Sequence, residues 1–320
     1  MKRNKCLYCY KEINAADLLT PSGKAEYHPK CSRQFFGKLV PPILDFTEDQ
    51  MMELAEQVVK SQRTVTGVQP KLSLGLSEGD ASPERFTIVG LWGEYILKPQ
   101  TDHYTNLPEN EDLTMHLAAL CKLNTVEHAL IRIQSGQLAY ITKRIDRKNG
   151  KKLHMEDMCQ LTERLTEHKY KGSYEQVAKV IKKYSLNPGL DLTDYFELVL
   201  FCFLIGNNDM HLKNFSLLKK GTDYSLCPAY DLLATSLVVE DDDEDMALHL
   251  NGKKKRIKRS DFEVAMKGAG LNQKVIENIF NKYHKLSSRW LSFIDESFLT
   301  DALKEKYKML IGERIARIYS

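Results

Sequence analysis

The segment from Ile205 to Ser216 gathers Asn207, Asn208, Asp209, His211, Lys213 and Asn214 directly behind the apolar run Leu198 to Ile205. A polar run at the end of a buried helix is costly unless its groups find partners. Asp209 and Asn214 stand five residues apart, and a second carboxylate, Asp231, follows seventeen residues after Asn214. An aspartate can take the proton of an attacking hydroxyl, while an amide and a carboxylate oxygen can hold a divalent cation, so the set suits phosphoryl transfer. Upstream, Lys98 ends a strand pattern, from which its ammonium could reach phosphate oxygens. Glu111 opens the following helix and could pair with that lysine. Each piece also has a plain reading: a strand-terminal lysine is usually solvated, and a glutamate in a first helical turn complements the helix dipole. The ordered set carries more weight than any member, because chance must satisfy every position at once.

A second constellation lies at the N-terminus. Cys6-x2-Cys9 is followed, eighteen residues later, by His28-x2-Cys31. Tetrahedral zinc takes four thiolate or imidazole ligands, and each tight turn supplies two. A unit of about thirty residues buries too little surface to fold without such help. Four protein ligands leave no open position, so the expected role is structural. The plain alternative is a surface segment with chance cysteines. Of the seven cysteines, Cys121, Cys159, Cys202 and Cys227 lie in apolar surroundings and read as small core residues.

The elements that must position these groups follow from pattern. Pro41-Pro42 marks a linker, and Thr47-x-x-Gln50 is a capping box for a helix carrying Met51, Leu54, Ala55, Val58 and Val59 at helical spacing. The stretch from Thr64 to Leu76 turns from polar loop into strand, and Tyr95 to Lys98 is a second strand after a hairpin-like segment from Asp80 to Trp92. Helical spacing returns from Glu109 to Leu123, and strand patterns at Leu130 to Ile133 and Gln137 to Ile145 follow. From Met155 to Phe203 the chain reads as mostly helical. The expectation is an α+β protein with a β-rich half, a helical half and a junction near Arg144 to Arg147. The Asp209-x4-Asn214 spacing is then that of a protein-kinase catalytic loop, with Asp231, on a turn behind a hairpin, where a kinase carries its second metal-binding carboxylate.

Composition limits the alternatives. The 320 residues are about twice the usual domain size of ~150. Lysine and arginine number 46 against 43 acidic residues, a net +3, so no global basic field points to nucleic acid. Mean hydropathy is −0.40, and the longest apolar run is eight residues, far from the ~20 that a membrane helix needs. No apolar stretch follows the basic start, and the odd cysteine count argues against a disulfide framework. A soluble, cytoplasmic protein with no membrane role is expected.

Whole words of sequence now come into view. Thr-Gly-Val-Gln-Pro-Lys-Leu at 66–72, Tyr-Ile-Leu-Lys-Pro at 95–99, Lys-Arg-Ile-Asp-Arg at 143–147, His-Met-Glu-Asp-Met-Cys-Gln at 154–160, Gly-Asn-Asn-Asp-Met-His-Leu-Lys-Asn-Phe at 206–215 and Pro-Ala-Tyr-Asp-Leu-Leu at 228–233 closely resemble the HipA family of serine/threonine kinase toxins. The resemblance spans roughly residues 45 to 320. It implies a two-lobed, protein-kinase-like α+β fold, with an N-lobe at 41–145 and a helical C-lobe at 146–320, behind the zinc-finger-like unit read from its own residues at 1–40. It implies ATP and Mg²⁺ as cofactors beside the structural Zn²⁺, with Asp209 as base, Asn214 and Asp231 on Mg²⁺, and Lys98 on the ATP phosphates with Glu111 as its partner. The backbone of Lys143 and Ile145 would hold adenine, and Gly67, Val68 and Gln69 would cover the phosphates. His211 and Lys213 join the nucleotide site through the catalytic loop, His211 orienting that loop rather than acting as base.

The familiar triple-glycine loop is absent, as the family implies. Family members autophosphorylate a serine in the phosphate-facing loop; here Thr64 and Thr66 stand in that region. A phosphate there would add about −1.5 to −2 charge beside the ATP phosphates and so would inhibit. Family members phosphorylate aminoacyl-tRNA synthetases and work with a helix-turn-helix HipB-like antitoxin, which brings them to DNA only indirectly. Longer members carry an extra β-rich domain before the kinase core. Its absence here implies a separately encoded small protein resembling that domain.

Glu240 to Asp245 is a run of six acids, followed by the basic group Lys253 to Arg256, Lys258 and Arg259. Asn251-Gly252 between them reads as a hairpin turn. The basic side could touch nucleic-acid phosphates, but the neighbouring acids should neutralise much of its field, and a solvated face is the reading adopted. Two other functions remain open on the residues: a kinase for a small molecule, and a catalytically inactive protein whose zinc unit and basic hairpin hold an antitoxin on DNA.

Overall fold

The structure is a computed structural model that describes residues 4–14, 26–47, 49–51, 53, 71–76, 84–89, 93–148, 150–239 and 243–320. The chain divides into two compact units. The first comprises residues 1–112, 126–150 and 296–298; the second comprises 113–125, 151–295 and 299–320.

The first unit is built on a five-stranded antiparallel sheet of β1 (Leu72–Leu76), β2 (Phe86–Ile88), β3 (Tyr95–Lys98), β4 (His128–Arg132) and β5 (Leu138–Lys143) in the order β2-β1-β3-β5-β4. Leu72, Leu74, Tyr95, Leu97, Tyr140 and Ile141 are buried, and the register sets Lys98 opposite Tyr140. One end of this core is aromatic. Helix α1 (Pro29–Phe36) starts with proline at its first position, where no backbone donor is lost, and ends on Gly37 at φ 77°. It buries Phe35 and Phe36, and Phe36 meets Tyr27 at 5.3 Å and Phe86 at 6.0 Å between ring centres. The cysteine-bearing segment thus shares one core with the sheet. Leu130 N–H donates to the Leu7 carbonyl at 3.1 Å, and the Tyr27 hydroxyl donates to the Leu130 carbonyl.

The capping box read at Thr47 is present: Thr47 N–H donates to Gln50 Oε1 at 3.0 Å, and Gln50 N–H donates to Thr47 Oγ1 at 3.2 Å. Most of the helix that it opens lies outside the described residues, as do Thr64, Thr66, Gly67, Val68 and Gln69. Helix α2 (Leu107–Leu120) contains the division between the units, which falls after Asp112. Short strands β6 (Arg147–Lys148) and β7 (Lys151–Lys152) follow β5 in the chain.

The second unit is mostly helical. Its small sheet runs in the order β10-β9-β8, from β8 (Met155–Asp157), β9 (Ser216–Lys220) and β10 (Asp223–Leu226). The sequence pattern read Met155 to Asp157 as helical. The segment is instead a strand because it finds a distant partner, with Met155 opposite Leu218 and Asp157 opposite Ser216. Asp157 then ends the strand and caps α3 (Met158–Leu161) in a reciprocal box with Gln160. Helices α4 (Tyr174–Tyr184), α5 (Pro188–Leu204), α6 (Arg259–Ala269), α7 (Gln273–Glu296) and α8 (Asp301–Tyr319) complete the unit. Helix α5 is apolar on nearly every side after its first turn and is correspondingly buried from Leu198 to Leu204. Cys121, Cys159, Cys202 and Cys227 are buried, and Trp290 Nε1–H points at Cys121 Sγ at 3.2 Å. Among the described residues, no helix is long and apolar enough to cross a membrane.

The hairpin at Asn251-Gly252 forms, with both residues at positive φ (49° and 73°) as its turn type requires. Its basic flank is paired. Lys253 meets Asp261 at 2.8 Å, Lys254 meets Glu244 at 3.0 Å, and Lys255 bonds Asp243. Asp245 accepts from Arg314, Arg317 and the Ile257 N–H. The acids neutralise this basic run, in line with the solvated-face reading.

Candidate active site and metal-ligand cluster

In the first unit, Lys98 sits at the end of β3 with its side chain only 4% exposed, and Glu111 on α2 is 2% exposed. Lys98 Nζ donates to Glu111 Oε1 at 2.5 Å and lies 5.4 Å from the centre of the Tyr140 ring. Two charges this deep persist only as a pair. Lys143 turns its ammonium to Glu127 Oε2 at 2.5 Å, its N–H donates to the Glu127 carbonyl at 3.0 Å, and its carbonyl accepts from the Thr142 hydroxyl at 3.5 Å. Ile145 begins the turn after β5.

The cysteine cluster belongs to the same unit. The Tyr10 N–H returns to the Cys6 carbonyl at 2.9 Å, closing a turn that brings Cys6 and Cys9 together. His28 stands at the N-cap position of α1, and Cys31 lies three residues on, so helix geometry points both into one place. The ligand atoms of Cys6, Cys9, His28 and Cys31 all lie within 4.8 Å of one another. His28 Nδ1 is 3.5 Å from Cys9 Sγ and 3.7 Å from Cys31 Sγ. Tetrahedral zinc with Zn–S ~2.3 Å and Zn–N ~2.0 Å separates sulfur from nitrogen by about 3.5 Å, so the cage fits that ion. His28 Nε2 is 3.0 Å from the Glu12 carbonyl, an outer bond that leaves Nδ1 as the ligand atom. Hydrogen bonds from Cys31 and Cys9 draw the Cys6 thiol well below its ordinary value, while the same contacts hold the Cys31 thiol well above its own, so the three sulfurs share their protons as one group.

Tyr10, the residue after Cys9, reaches out of the cluster. Its ring is buried, and its hydroxyl donates to Asp112 Oδ2 at 2.6 Å. The other carboxylate oxygen, Asp112 Oδ1, meets His128 Nδ1 at 2.6 Å. Burial, then the adjacent Asp112 carboxylate, pushes the Tyr10 phenol well above its ordinary value and keeps it a donor.

In the second unit, the buried helix α5 ends at Ile205 and the chain reverses at Gly206, φ 71°. A Cβ there would stand 2.6 Å from Leu310 Cδ2 and 3.2 Å from Ser236 Oγ, so the left-handed backbone favours glycine and any side chain would also have to displace Leu310. The following turn is held by its own polar residues. Asp209 N–H donates to Asn207 Oδ1 at 3.1 Å, and Asn214 Nδ2 donates to the Asp209 carbonyl at 3.3 Å. That bond leaves Asn214 Oδ1, a hard oxygen suited to Mg²⁺. Asn208 N–H donates to Thr235 Oγ1 at 2.8 Å. Lys213 pairs with Asp157 at 2.7 Å. Asp231 follows Tyr230, whose hydroxyl contacts the Lys213 carbonyl at 3.0 Å and Ser216 Oγ at 2.6 Å. Asp231 has φ 61°, a left-handed backbone that aspartate tolerates at some cost. Asp209, Asn214, Lys213 and His211 therefore form one turn, to which Tyr230 ties the segment carrying Asp231.

Residues that the spacing did not single out complete this region. The hydroxyl of Tyr170, a residue 42% exposed, donates to Asp209 Oδ1 at 2.6 Å, while its ring stands edge-on to His211 at 5.1 Å. Nothing in local spacing marks Tyr170, since it lies 39 residues upstream. Asn207 stands in the polar run behind Ile205, but its spacing assigns it no role.

Residues 63–290 match the family described as the HipA-like C-terminal domain. The chain belongs to this family. It is 28% identical over 246 residues to a Haemophilus influenzae protein named "Putative kinase", which covers 73% of this chain and 69% of that protein. It is 27% identical over 212 residues to the serine/threonine-protein kinase toxin HipA of Shewanella oneidensis, covering 60% of this chain and 47% of that one. Thus it spans about two thirds of the first relative and about half of the second. The fold is that of HipA in the Shewanella oneidensis complex of HipA, HipB and operator DNA, with a TM-score of 0.68 at 23% identity over 83% of this chain and 71% of that one. The α+β, kinase-like architecture expected from the sequence is the one found.

Proposed function

We propose that this chain is an ATP-dependent serine/threonine protein kinase of the HipA type, working in a toxin–antitoxin module. The observation that carries the reading is the turn at Asp209, a half-buried residue whose backbone is held on one side by Asn207 and on the other by Asn214. A base fixed to this degree costs little reorganisation when the acceptor arrives, and positioning supplies most of the rate in phosphoryl transfer. Asp209 orients the acceptor hydroxyl and takes its proton. Lys98, kept in place by Glu111, meets the α- and β-phosphates. Asn214 and Asp231 hold Mg²⁺, which neutralises charge on the transferred group when bound. The backbone of Lys143 and Ile145 holds adenine, and Gly67, Val68 and Gln69 cover the phosphates. Lys213, paired with Asp157, and His211, packed on Tyr170, keep the loop in shape beside the nucleotide.

In this reading residues 41–145 are the N-lobe, 146–320 the C-lobe, and 1–40 a unit held by structural zinc. The chain is cytoplasmic, autophosphorylates on Thr64 or Thr66, and phosphorylates a translation component of the aminoacyl-tRNA synthetase kind. A HipB-like antitoxin is its partner, as in the Shewanella complex, together with a small, separately encoded N-terminal-domain-like protein. The test is intact mass and peptide mapping after incubation with Mg²⁺-ATP, with Asp209→Ala alongside. Phosphate on Thr64 or Thr66 in the parent protein alone is the expected result. A protein that neither gains phosphate nor binds ATP refutes the kinase reading.

A further inference from the structure

The cysteine cluster and the Lys98–Glu111 pair belong to the same compact unit, and a continuous set of buried contacts joins them. Tyr10 is the residue after Cys9, and its backbone closes the Cys6–Cys9 turn at a positive φ of 63°. Its ring stands edge-on to Phe298 at 5.0 Å, and its hydroxyl takes one oxygen of Asp112. His128 takes the other oxygen, and its ring stacks on Tyr140 at 6.0 Å and 22°. Tyr140 in turn presents its ring to Lys98 Nζ. Asp112 is the neighbour of Glu111 on α2. Consecutive helical residues point about 100° apart. One turn of α2 is therefore held from two directions: Glu111 by β3, and Asp112 by the cysteine turn and β4.

We propose that Tyr10, Asp112 and His128 are positioning residues through which metal bound at Cys6, Cys9, His28 and Cys31 sets the rotation of α2, coupling metal binding to nucleotide binding. The inference rests on the reading of Lys98 and Glu111 as the nucleotide-phosphate pair. The metal keeps the Cys6–Cys9 turn closed, and the closed turn holds Tyr10 in its left-handed conformation. Without metal the turn opens, Tyr10 withdraws its hydrogen bond, and a fully buried Asp112 carboxylate loses a charge-assisted donor. The turn of α2 carrying Glu111 shifts to find a replacement, and Lys98 leaves its place. Such coupling is reciprocal: whatever factor metal adds to nucleotide affinity, nucleotide adds to metal affinity.

The test uses the full chain loaded with Zn²⁺, its chelator-stripped form, and Tyr10→Phe, which keeps the ring and every metal ligand and removes only the hydroxyl. Three quantities are read: the Mg²⁺-ATP dissociation constant by calorimetry, the Zn²⁺ dissociation constant against a chromophoric chelator with and without Mg²⁺-ATP, and amide hydrogen exchange in residues 107–120. In the parent protein, Zn²⁺ should tighten Mg²⁺-ATP binding about tenfold or more, and Mg²⁺-ATP should tighten Zn²⁺ binding by the same factor. Tyr10→Phe should keep one Zn²⁺ per chain while the coupling falls below about twofold and exchange in 107–120 rises even with Zn²⁺ bound. Coupling under twofold in the parent, full coupling in Tyr10→Phe, or failure to hold Zn²⁺ overturns the proposal. If Zn²⁺ is held and protects 107–120 through Tyr10 but Mg²⁺-ATP does not bind, the brace is supported and the kinase reading fails instead.

Discussion

Lys98 and Glu111 offer the sharpest separation of stability from function. At 2.5 Å and an effective dielectric of ~20, their gross attraction is about 7 kcal/mol. Desolvation of each ion offsets several kcal/mol of this, so the pair as a whole contributes little beyond what two apolar side chains of similar volume would give. Removing one partner takes this ion pair from the other charge in a site under 5% exposed, which costs about 3–5 kcal/mol. Lys98→Met or Glu111→Met alone should lower unfolding stability by that amount, while Lys98→Met with Glu111→Met should return to within about 1–2 kcal/mol of the parent. Equilibrium urea unfolding reads these values. Nucleotide binding should not recover in the double variant. An ammonium on phosphate is a charged hydrogen bond worth about 1.5–3 kcal/mol, a loss of roughly 10- to 150-fold in Mg²⁺-ATP affinity by calorimetry. A stable double variant with parent-like affinity would remove Lys98 from the phosphates. A double variant as unstable as the singles would refute the compensation argument.

Tyr170→Phe should leave Mg²⁺-ATP affinity unchanged and raise kcat/KM for a protein acceptor about fivefold, because an exposed hydrogen bond worth ~1 kcal/mol no longer competes for Asp209 Oδ1; a fall in kcat/KM in steady-state assays would make the tyrosine an orienting group instead. Gly206→Ala should destabilise the second unit by about 2–4 kcal/mol in urea unfolding, combining left-handed strain with the clash on Leu310, and an effect below about 0.5 kcal/mol would contradict the observed turn. Asp261 has a defined pH signature. Burial raises its carboxyl, but the bonds from Lys253, Asn251 and the Lys258 N–H outweigh it and hold the group below its ordinary value. Its folded pKa is thus the lower one, so its contribution is present above the ordinary aspartate range and is lost as pH falls through the depressed value. Asp261→Asn should flatten that acid limb of the stability profile, and an unchanged limb would place the proton elsewhere.

Several features were decided locally and so were readable in the sequence. A capping box at Thr47 and Gln50 and a hairpin at Asn251-Gly252 depend on residues within four positions of one another, where local sterics and hydrogen bonds settle the outcome. The strand ending at Lys98, the strand read over Gln137 to Ile145 and found at Leu138–Lys143, and the buried helix before Gly206 follow from hydropathy pattern, and the gathering of Cys6, Cys9, His28 and Cys31 from spacing. The matched words from 66 to 233 carried the family and its fold. Other features depend on where distant segments meet. Met155 to Asp157 became a strand because Ser216 to Leu218 offered open hydrogen-bonding groups, a pairing that outweighs local propensity. The basic run after Asn251 carries charges that Asp243, Glu244 and Asp261 cancel only once the chain folds back. Tyr170 on Asp209, and Tyr10 and His128 on Asp112, join residues 39, 102 and 16 positions apart. Spacing rules reach along one helix or turn, whereas these contacts are fixed by the packing of a core, and only the tertiary structure assembles them.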